Sequence, residues 1–169
     1  LARRRLMFEE LFYLSIGLTF LKHRREGQNY GIAVRPFPVE EFTSLLPFAP
    51  TAAQRRVMEE IAADMTSGRP MNRLVQGDVG SGKTVVAALA AYICIKNGKQ
   101  AALMAPTEIL AVQHYNDLKE LFAELGISCA LMTGSIGAAA KRAAKAAAKS
   151  GDAQLIVGTH ALLGDGVEF

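Results

Sequence analysis

The chain has 169 residues, of which 50% are apolar, and a formal net charge of +3. This length allows one domain with a hydrophobic core plus an appendage, and the apolar content excludes a chain that is disordered throughout. Basic side chains are concentrated in residues 3–25 and again in residues 141–149. Basic clusters suit nucleic acid, although a solvated helix face explains either cluster taken alone.

The cysteines and the apolar runs bear on the cellular compartment. Cys94 and Cys129 lie far apart in apolar surroundings, without the spacing of a zinc site or of a disulfide framework. No apolar run reaches membrane-spanning length, and the arginine-led N-terminus lacks the pattern of a signal peptide. We therefore predict a cytoplasmic protein with reduced thiols and no membrane partner.

The first part of the chain differs in character from the rest. Apolar residues recur at three- and four-residue spacing across residues 3–25, which predicts a helix that must pack on something to be stable. Prolines then predict a linker with one helical turn around residues 40–46. We divide the chain into a helical linker or appendage, residues 1–47, and the N-terminal part of a second domain, residues 48–169.

Helices and strands alternate regularly from Thr51 onward. The predicted helices span residues 51–67, 85–97, 107–125 and 138–149. The predicted strands span residues 73–76, 100–105, 127–132 and 154–157. Strands that alternate with helices of ten or more residues predict an α/β fold with a parallel sheet covered on both faces.

A glycine-rich loop between the first predicted strand and its helix fits the phosphate-binding pattern G-x-x-x-x-G-K-[ST] in the context that this pattern requires. Its glycines let the backbone turn tightly and approach phosphates. We assign Lys83 and Thr84 to catalysis, because the lysine can reach the outer phosphates and the threonine hydroxyl can ligate Mg²⁺. The loop residues predicted to bind nucleotide are Gly77, Asp78, Val79, Gly80, Ser81, Gly82, Lys83 and Thr84. The fold is therefore predicted to be an incomplete P-loop NTPase (RecA-like) sheet that binds a nucleotide with Mg²⁺, and the resemblance given below implies that the nucleotide is ATP.

Small and hydroxyl-bearing residues follow successive predicted strands. Ligands of open α/β sheets collect at the carboxyl ends of strands, and donors at helix N-termini can grip a phosphodiester backbone without reading bases. Each residue taken alone is also typical of a helix cap or a turn. The predicted DNA contacts are Pro106, Thr107, Glu108, Thr133, Gly134, Gly158, Thr159 and His160. We discount His160 as a catalytic base, since phosphoryl transfer depends on positioning and charge neutralisation.

The glycine-rich loop and the strand-end segments together resemble motifs I, Ia, Ib and Ic of the superfamily 2 helicases, in order and spacing. The amino-acid sequence of residues 70–87, 104–111 and 157–162 is similar to that of bacterial helicases that remodel branched DNA. The resemblance implies an ATP-dependent DNA helicase or translocase that acts, as a monomer, on stalled forks and Holliday junctions in recombination and repair. It also implies that residues 1–47 join an upstream DNA-binding domain to the first motor lobe.

Gln54 has two possible roles. It lies in Thr51-Ala52-Ala53-Gln54, which is a capping-box pattern. The resemblance instead implies that a glutamine upstream of the P-loop reads the adenine edge, where its amide matches a donor and an acceptor. We favour the adenine role and place Gln54 among the nucleotide-binding residues.

The acidic pair that holds Mg²⁺ in such motors does not occur before Phe169, and the chain begins at Leu1. We expect a fragment whose acidic motif and second motor lobe lie beyond Phe169, so that the isolated chain is inactive. One alternative is a transcription-repair coupling translocase, which carries a similar P-loop. The others are an unrelated P-loop kinase or GTPase, and a nucleotide-binding module without turnover.

Overall fold

The computed structural model describes residues 2–26, 31, 34–164 and 166–169. The helices in this part are α1 (Ala2–Glu26), α2 (Val39–Thr43), α3 (Ala52–Thr66), α4 (Lys83–Lys96), α5 (Glu108–Ala123) and α6 (Ala138–Ser150). The strands are β1 (Ala101–Met104), β2 (Cys129–Met132) and β3 (Leu155–Gly158), and a 3₁₀ turn follows at His160–Leu163. Apart from one predicted strand, every element predicted from the sequence is present, with bounds that shift by a few residues.

The three strands form a parallel sheet in the order β1-β3-β2. Met104, Gly158 and Met132 lie at the same level of the register, so the three strands end together. The segments that follow the strands therefore leave the sheet at one edge, as the sequence predicted.

Strand β3 is buried on both faces, because its side chains alternate between two apolar clusters. Leu155 and Val157 pack in the cluster that α3, α4 and α5 form on one face. Ile156 packs on the other face, against Ala144 and Ala148 of α6. This arrangement confirms the predicted α/β fold with a parallel sheet between helical layers.

The predicted strand at residues 73–76 is wrong. No strand is assigned there, and Leu74 is 90% exposed rather than buried. The segment has no strand partner within the described residues, and Arg73 instead ties it to α3. The Arg73 guanidinium donates to Glu60 at 2.5 Å and also to Asp64. The second bond holds the pKa of the Asp64 carboxyl below its ordinary value.

The packed unit reaches further upstream than the predicted boundary at residue 47. Val39 and Phe42 of α2 are buried in the same cluster as α3 and α4, and the Phe42 and Tyr92 ring centroids are 5.4 Å apart. Upstream, α1 exposes its large apolar side chains from Leu6 to Leu21. No helix in the described ranges is long and apolar enough to cross a membrane.

Candidate nucleotide site and strand-end surface

The P-loop lies at the same edge of the sheet as the strand ends. Helix α4 packs against β1, and a short turn at residues 97–100 connects the C-terminal end of α4 to the start of β1. The two elements therefore run in opposite directions, and the N-terminus of α4 points to the carboxyl edge of the sheet. The glycine-rich loop thus lies at the N-terminus of α4, where a helix can bind an anion.

Two P-loop glycines have a backbone conformation that other residues rarely adopt. Gly80 has φ of 80° and Gly82 has φ of 78°. A Cβ on Gly82 would also lie 2.3 Å from Nε2 of Gln54. The loop shape therefore depends on glycine at these positions for a geometric reason.

Lys83 lies within the loop that it is predicted to serve. Its Nζ donates to the carbonyl oxygens of Gly77 at 2.8 Å and Asp78 at 2.6 Å, and lies 3.5 Å from Oγ of Ser81. The ammonium group is therefore surrounded by loop oxygens. A polyphosphate can replace these carbonyls as the partner of the same cation.

Gln54 realises the capping box and also contacts the P-loop. Its Oε1 accepts from the backbone N–H of Thr51 at 2.8 Å, while its own backbone N–H donates to the Thr51 hydroxyl. Its Nε2 donates to the Ser81 carbonyl at 2.9 Å. Sequence reasoning weighed the cap against an adenine contact and missed this third role, which joins the start of α3 to the nucleotide loop.

The donors at this site fit a nucleotide polyphosphate. The N–H groups of Val85 and Val86 donate to the Gly82 carbonyl, whereas those that precede them at the start of α4 have no acceptor within the helix, and the Lys83 ammonium adds a full positive charge beside them. Thr84, in the first turn of α4, supplies a hydroxyl of the kind that ligates Mg²⁺ beside phosphates. Within the described ranges, no group of three or more His, Cys, Asp or Glu side chains is placed to hold a metal ion.

The segment after β1 forms the start of α5. The Thr107 hydroxyl accepts from the backbone N–H of Leu110 at 3.3 Å, so it caps the helix. Pro106 and Thr107 are exposed. The cap role and an exposed position for DNA therefore coexist at Thr107.

The segment after β2 consists of one buried residue, Thr133, followed by two exposed residues. Thr133 is fully buried, and its Oγ1 lies 3.4 Å from Oγ of Ser135. Its side chain therefore supports the loop from inside, and the prediction of a DNA contact does not hold for this hydroxyl. Gly134 and Ser135 form the exposed part of the loop.

Glu108 joins these two segments, which sequence reasoning did not anticipate. Its Oε1 accepts from the backbone N–H of Ser135 at 2.9 Å. Hydrogen bonds from the Ser135 side chain and from the Ser135 and Gly134 backbone hold the pKa of the Glu108 carboxyl below its ordinary value, although desolvation opposes the shift. The partners are 27 residues apart, and no local pattern in the sequence links them.

The segment after β3 differs from the one after β1. Gly158 is buried, and a Cβ there would lie 2.1 Å from the Met132 carbonyl oxygen. The predicted DNA contact at Gly158 therefore gives way to a packing role between β3 and β2. Thr159 is half-buried and its side chain forms no cap hydrogen bond, while His160 is exposed. Within the described residues, the Thr159 hydroxyl is thus open to another partner.

Comparison with known proteins places these features in a family. The DEAD/DEAH box helicase family matches residues 51–168. The chain is 50% identical to the ATP-dependent DNA helicase RecG of Streptococcus pneumoniae over 99% of its length, which is 25% of that protein. It is 47% identical to RecG of Escherichia coli K12, again over 99% of this chain and 24% of that protein. The chain spans about a quarter of the length of these relatives.

Solved structures agree with this placement. RecG bound to a three-way DNA junction superposes with a TM-score of 0.89 and 44% identity, over 99% of this chain and 23% of that chain. A hypothetical ATP-dependent RNA helicase from Sulfolobus tokodaii, at 20% identity and a TM-score of 0.55, covers 77% of this chain and 37% of that chain. The second likeness concerns the fold alone.

Proposed function

The chain belongs to the DEAD/DEAH box helicase family, and from this premise we propose that it binds ATP as part of the first motor lobe of a branched-DNA helicase. The observation that carries the proposal is the placement of the P-loop and the strand-end segments at one edge of the parallel sheet. Nucleotide and DNA bound at that edge would contact the same rigid sheet. Family membership excludes an unrelated P-loop kinase or GTPase.

Lys83, Thr84 and the backbone of the P-loop would hold ATP with Mg²⁺. The metal would neutralise charge that develops on the transferred phosphoryl group, and Lys83 would bind the outer phosphates. Thr84 would orient the metal through its hydroxyl. Since Lys83 already donates to Gly77 and Asp78, the chain's own part of the binding step is an exchange of these carbonyls for phosphate oxygens.

DNA would lie across the strand-end segments. Pro106, Thr107, Gly134, Thr159 and His160 are at least partly exposed at this edge, and they offer hydroxyl, imidazole and backbone groups of the kind that contact phosphates. The ligand of the solved relative, a three-way DNA junction, supports a branched duplex as the partner. Recognition of junction shape belongs to other parts of the full-length protein in this proposal.

The remaining assignments follow from the same reasoning. Residues 1–47 would join an upstream DNA-binding domain to the lobe, with the exposed apolar side chains of α1 covered by that domain. The protein would act as a monomer in the cytoplasm, where the free thiols of Cys94 and Cys129 stay reduced. Burial raises the pKa of both thiols, to about 11 at Cys129, so neither is a reactive thiolate at neutral pH.

The two strand-end threonines separate DNA binding from helix capping. In a full-length helicase that carries this segment, Thr159→Ala is expected to lower DNA-stimulated ATPase more than basal ATPase without lowering the unfolding temperature, because its hydroxyl forms no cap bond. Thr107→Ala is expected to lower both the DNA-stimulated ATPase and the unfolding temperature, since loss of the cap costs about 1 kcal/mol. Steady-state ATPase with and without three-way junction DNA, together with thermal unfolding, checks both variants. Equal losses of basal and stimulated activity in Thr159→Ala would contradict the DNA assignment.

Gln54 is tested by nucleotide choice. Gln54→Ala removes the capping box and the bond to Ser81, so the affinity for ATP should fall and the stability of α3 should decrease by about 1 kcal/mol. If Gln54 also reads adenine, the variant loses its preference for ATP over GTP. Competition binding with both nucleotides measures this ratio. An unchanged ATP-to-GTP ratio with weaker binding of both would leave Gln54 as a loop support only.

A further inference from the structure

We propose that Glu108 is a positioning residue whose carboxylate holds the loop after β2, residues 133–135, against the first turn of α5, so that DNA contacts the loop and not the carboxylate. The inference rests on the proposed function for its consequence on DNA, but the contact itself is a property of the folded chain. It changes the role of a residue that the sequence placed among the direct DNA contacts.

The first step is the position of the carboxylate. Oε1 of Glu108 accepts the backbone N–H of Ser135 at 2.9 Å, and an ideal Cβ on Gly134 would lie 2.9 Å from the same oxygen. The oxygen therefore lies directly on the backbone of two consecutive loop residues. Glycine at position 134 leaves the space that this contact needs, because a methyl group there would push the carboxylate away.

The second step is the sign of the charge. A carboxylate is an acceptor only, so it cannot donate to a phosphate oxygen, and it repels phosphate through space. Glu108 is also the first residue of α5, where the helix dipole favours a negative charge. Both its hydrogen bonds and its location are therefore explained within the protein, whereas a direct contact with DNA backbone is unfavourable.

The third step is the support on the other side of the loop. Thr133 is fully buried and its Oγ1 lies 3.4 Å from Oγ of Ser135. The loop is thus held by the buried Thr133 side chain and by the Glu108 carboxylate. Gly134 and Ser135 themselves remain exposed, so a phosphodiester could approach the loop in the shape that these two contacts give it.

The decisive substitution is Glu108→Ala in a full-length helicase that carries this segment. Loss of the hydrogen bond between Glu108 and the Ser135 backbone, which we call the strut, should weaken binding of three-way junction DNA about tenfold or more, as expected for a hydrogen bond to a charged group. It should also speed hydrogen exchange at the Ser135 amide in the absence of DNA. If Glu108 instead faced the phosphates directly, removing its negative charge would tighten DNA binding, so the two roles predict opposite signs.

Two further variants define the contact. Glu108→Gln keeps an Oε1 that can accept the Ser135 N–H, so it should restore most of the DNA affinity and of the amide protection. Glu120→Ala removes a carboxylate from the exposed surface of the same helix, away from the loop, and should leave both measurements at wild-type values. A Gln variant that loses as much DNA affinity and amide protection as the Ala variant would count against the hydrogen bond to Ser135 as the cause of the effect.

A double-mutant cycle with Gly134→Ala completes the test. In the wild-type background the new methyl group displaces the Glu108 carboxylate and should weaken DNA binding. In the Glu108→Ala background the displaced atom is absent, so the same change should have little further effect. Additive losses, unchanged or tighter DNA binding in Glu108→Ala, or unchanged exchange at Ser135 would overturn the proposal. Failure of the wild-type protein to bind DNA would instead reject the proposed function, while the exchange experiment would still report on the strut.

Discussion

Lys83→Ala is expected to abolish ATP-dependent unwinding in a full-length helicase that carries this segment. The ammonium group donates to loop carbonyls in this structure, and on binding it would move to the outer phosphates, where its interaction strengthens as negative charge develops. Removing one such electrostatic contact lowers kcat by about 10²–10³-fold. Single-turnover ATP hydrolysis and unwinding of a forked duplex measure the loss.

Lys99→Ala is the matched control for this loss. Lys99 is an exposed lysine in the turn that follows α4, at the opposite end of the helix from the P-loop. Its removal should leave ATP hydrolysis and unwinding unchanged. Unwinding at the wild-type rate in Lys83→Ala would disprove the nucleotide assignment, and retained DNA binding in that variant would show that the fold is intact.

Gly158→Ala is expected to destabilise the lobe strongly, because the added methyl group meets the backbone of a neighbouring strand. The new Cβ would lie 2.1 Å from the Met132 carbonyl oxygen and 3.0 Å from Cγ of Leu162. Since backbone cannot rotate away as a flexible side chain can, β2 and β3 must separate. Such overpacking costs about 3 kcal/mol, the upper part of the usual range. A fall in the unfolding temperature, with loss of both ATP and DNA binding, is the expected measurement.

Gly17→Ala provides the comparison for that stability measurement. Among the residues that the structure describes, none has an atom within 4 Å of a Cβ at Gly17, which is in the interior of α1. Alanine is the better helix former there, so the variant should retain or slightly raise stability. If Gly158→Ala unfolds at the same temperature as wild type, the close approach of β2 and β3 at this level of the sheet is incorrect.

The elements that the sequence predicted well are those with a local signal. The Thr51 capping box and the Thr107 cap are local sequence patterns, so α3 and α5 each begin within a residue or two of their predicted starts. The P-loop signature is equally local, since it lies in eight consecutive residues. The alternation of apolar segments then determined the fold class.

The features that the sequence could not supply depend on contacts between distant segments. The pattern at residues 73–76 predicted a strand, but a strand needs a ladder partner, and the described residues provide none, while the Arg73 side chain is held by Glu60 and Asp64. Likewise, Thr133 and Gly158 carried the residue types of a phosphate-binding edge, yet both are buried. Whether a strand-end residue faces outward depends on the neighbouring strand, which a single-sequence pattern does not describe.

The strand order has a consequence for how the lobe is made. The strand that lies in the centre, β3, is the last of the three in the chain, so β1 and β2 have no sheet partner in the described part until residues 155–158 have been synthesised. At about 5–20 residues per second, the nascent chain carries two unpaired apolar strands for seconds before the sheet can form. Translation speed and chaperone access during that interval are therefore expected to influence the yield of the folded chain independently of its final stability.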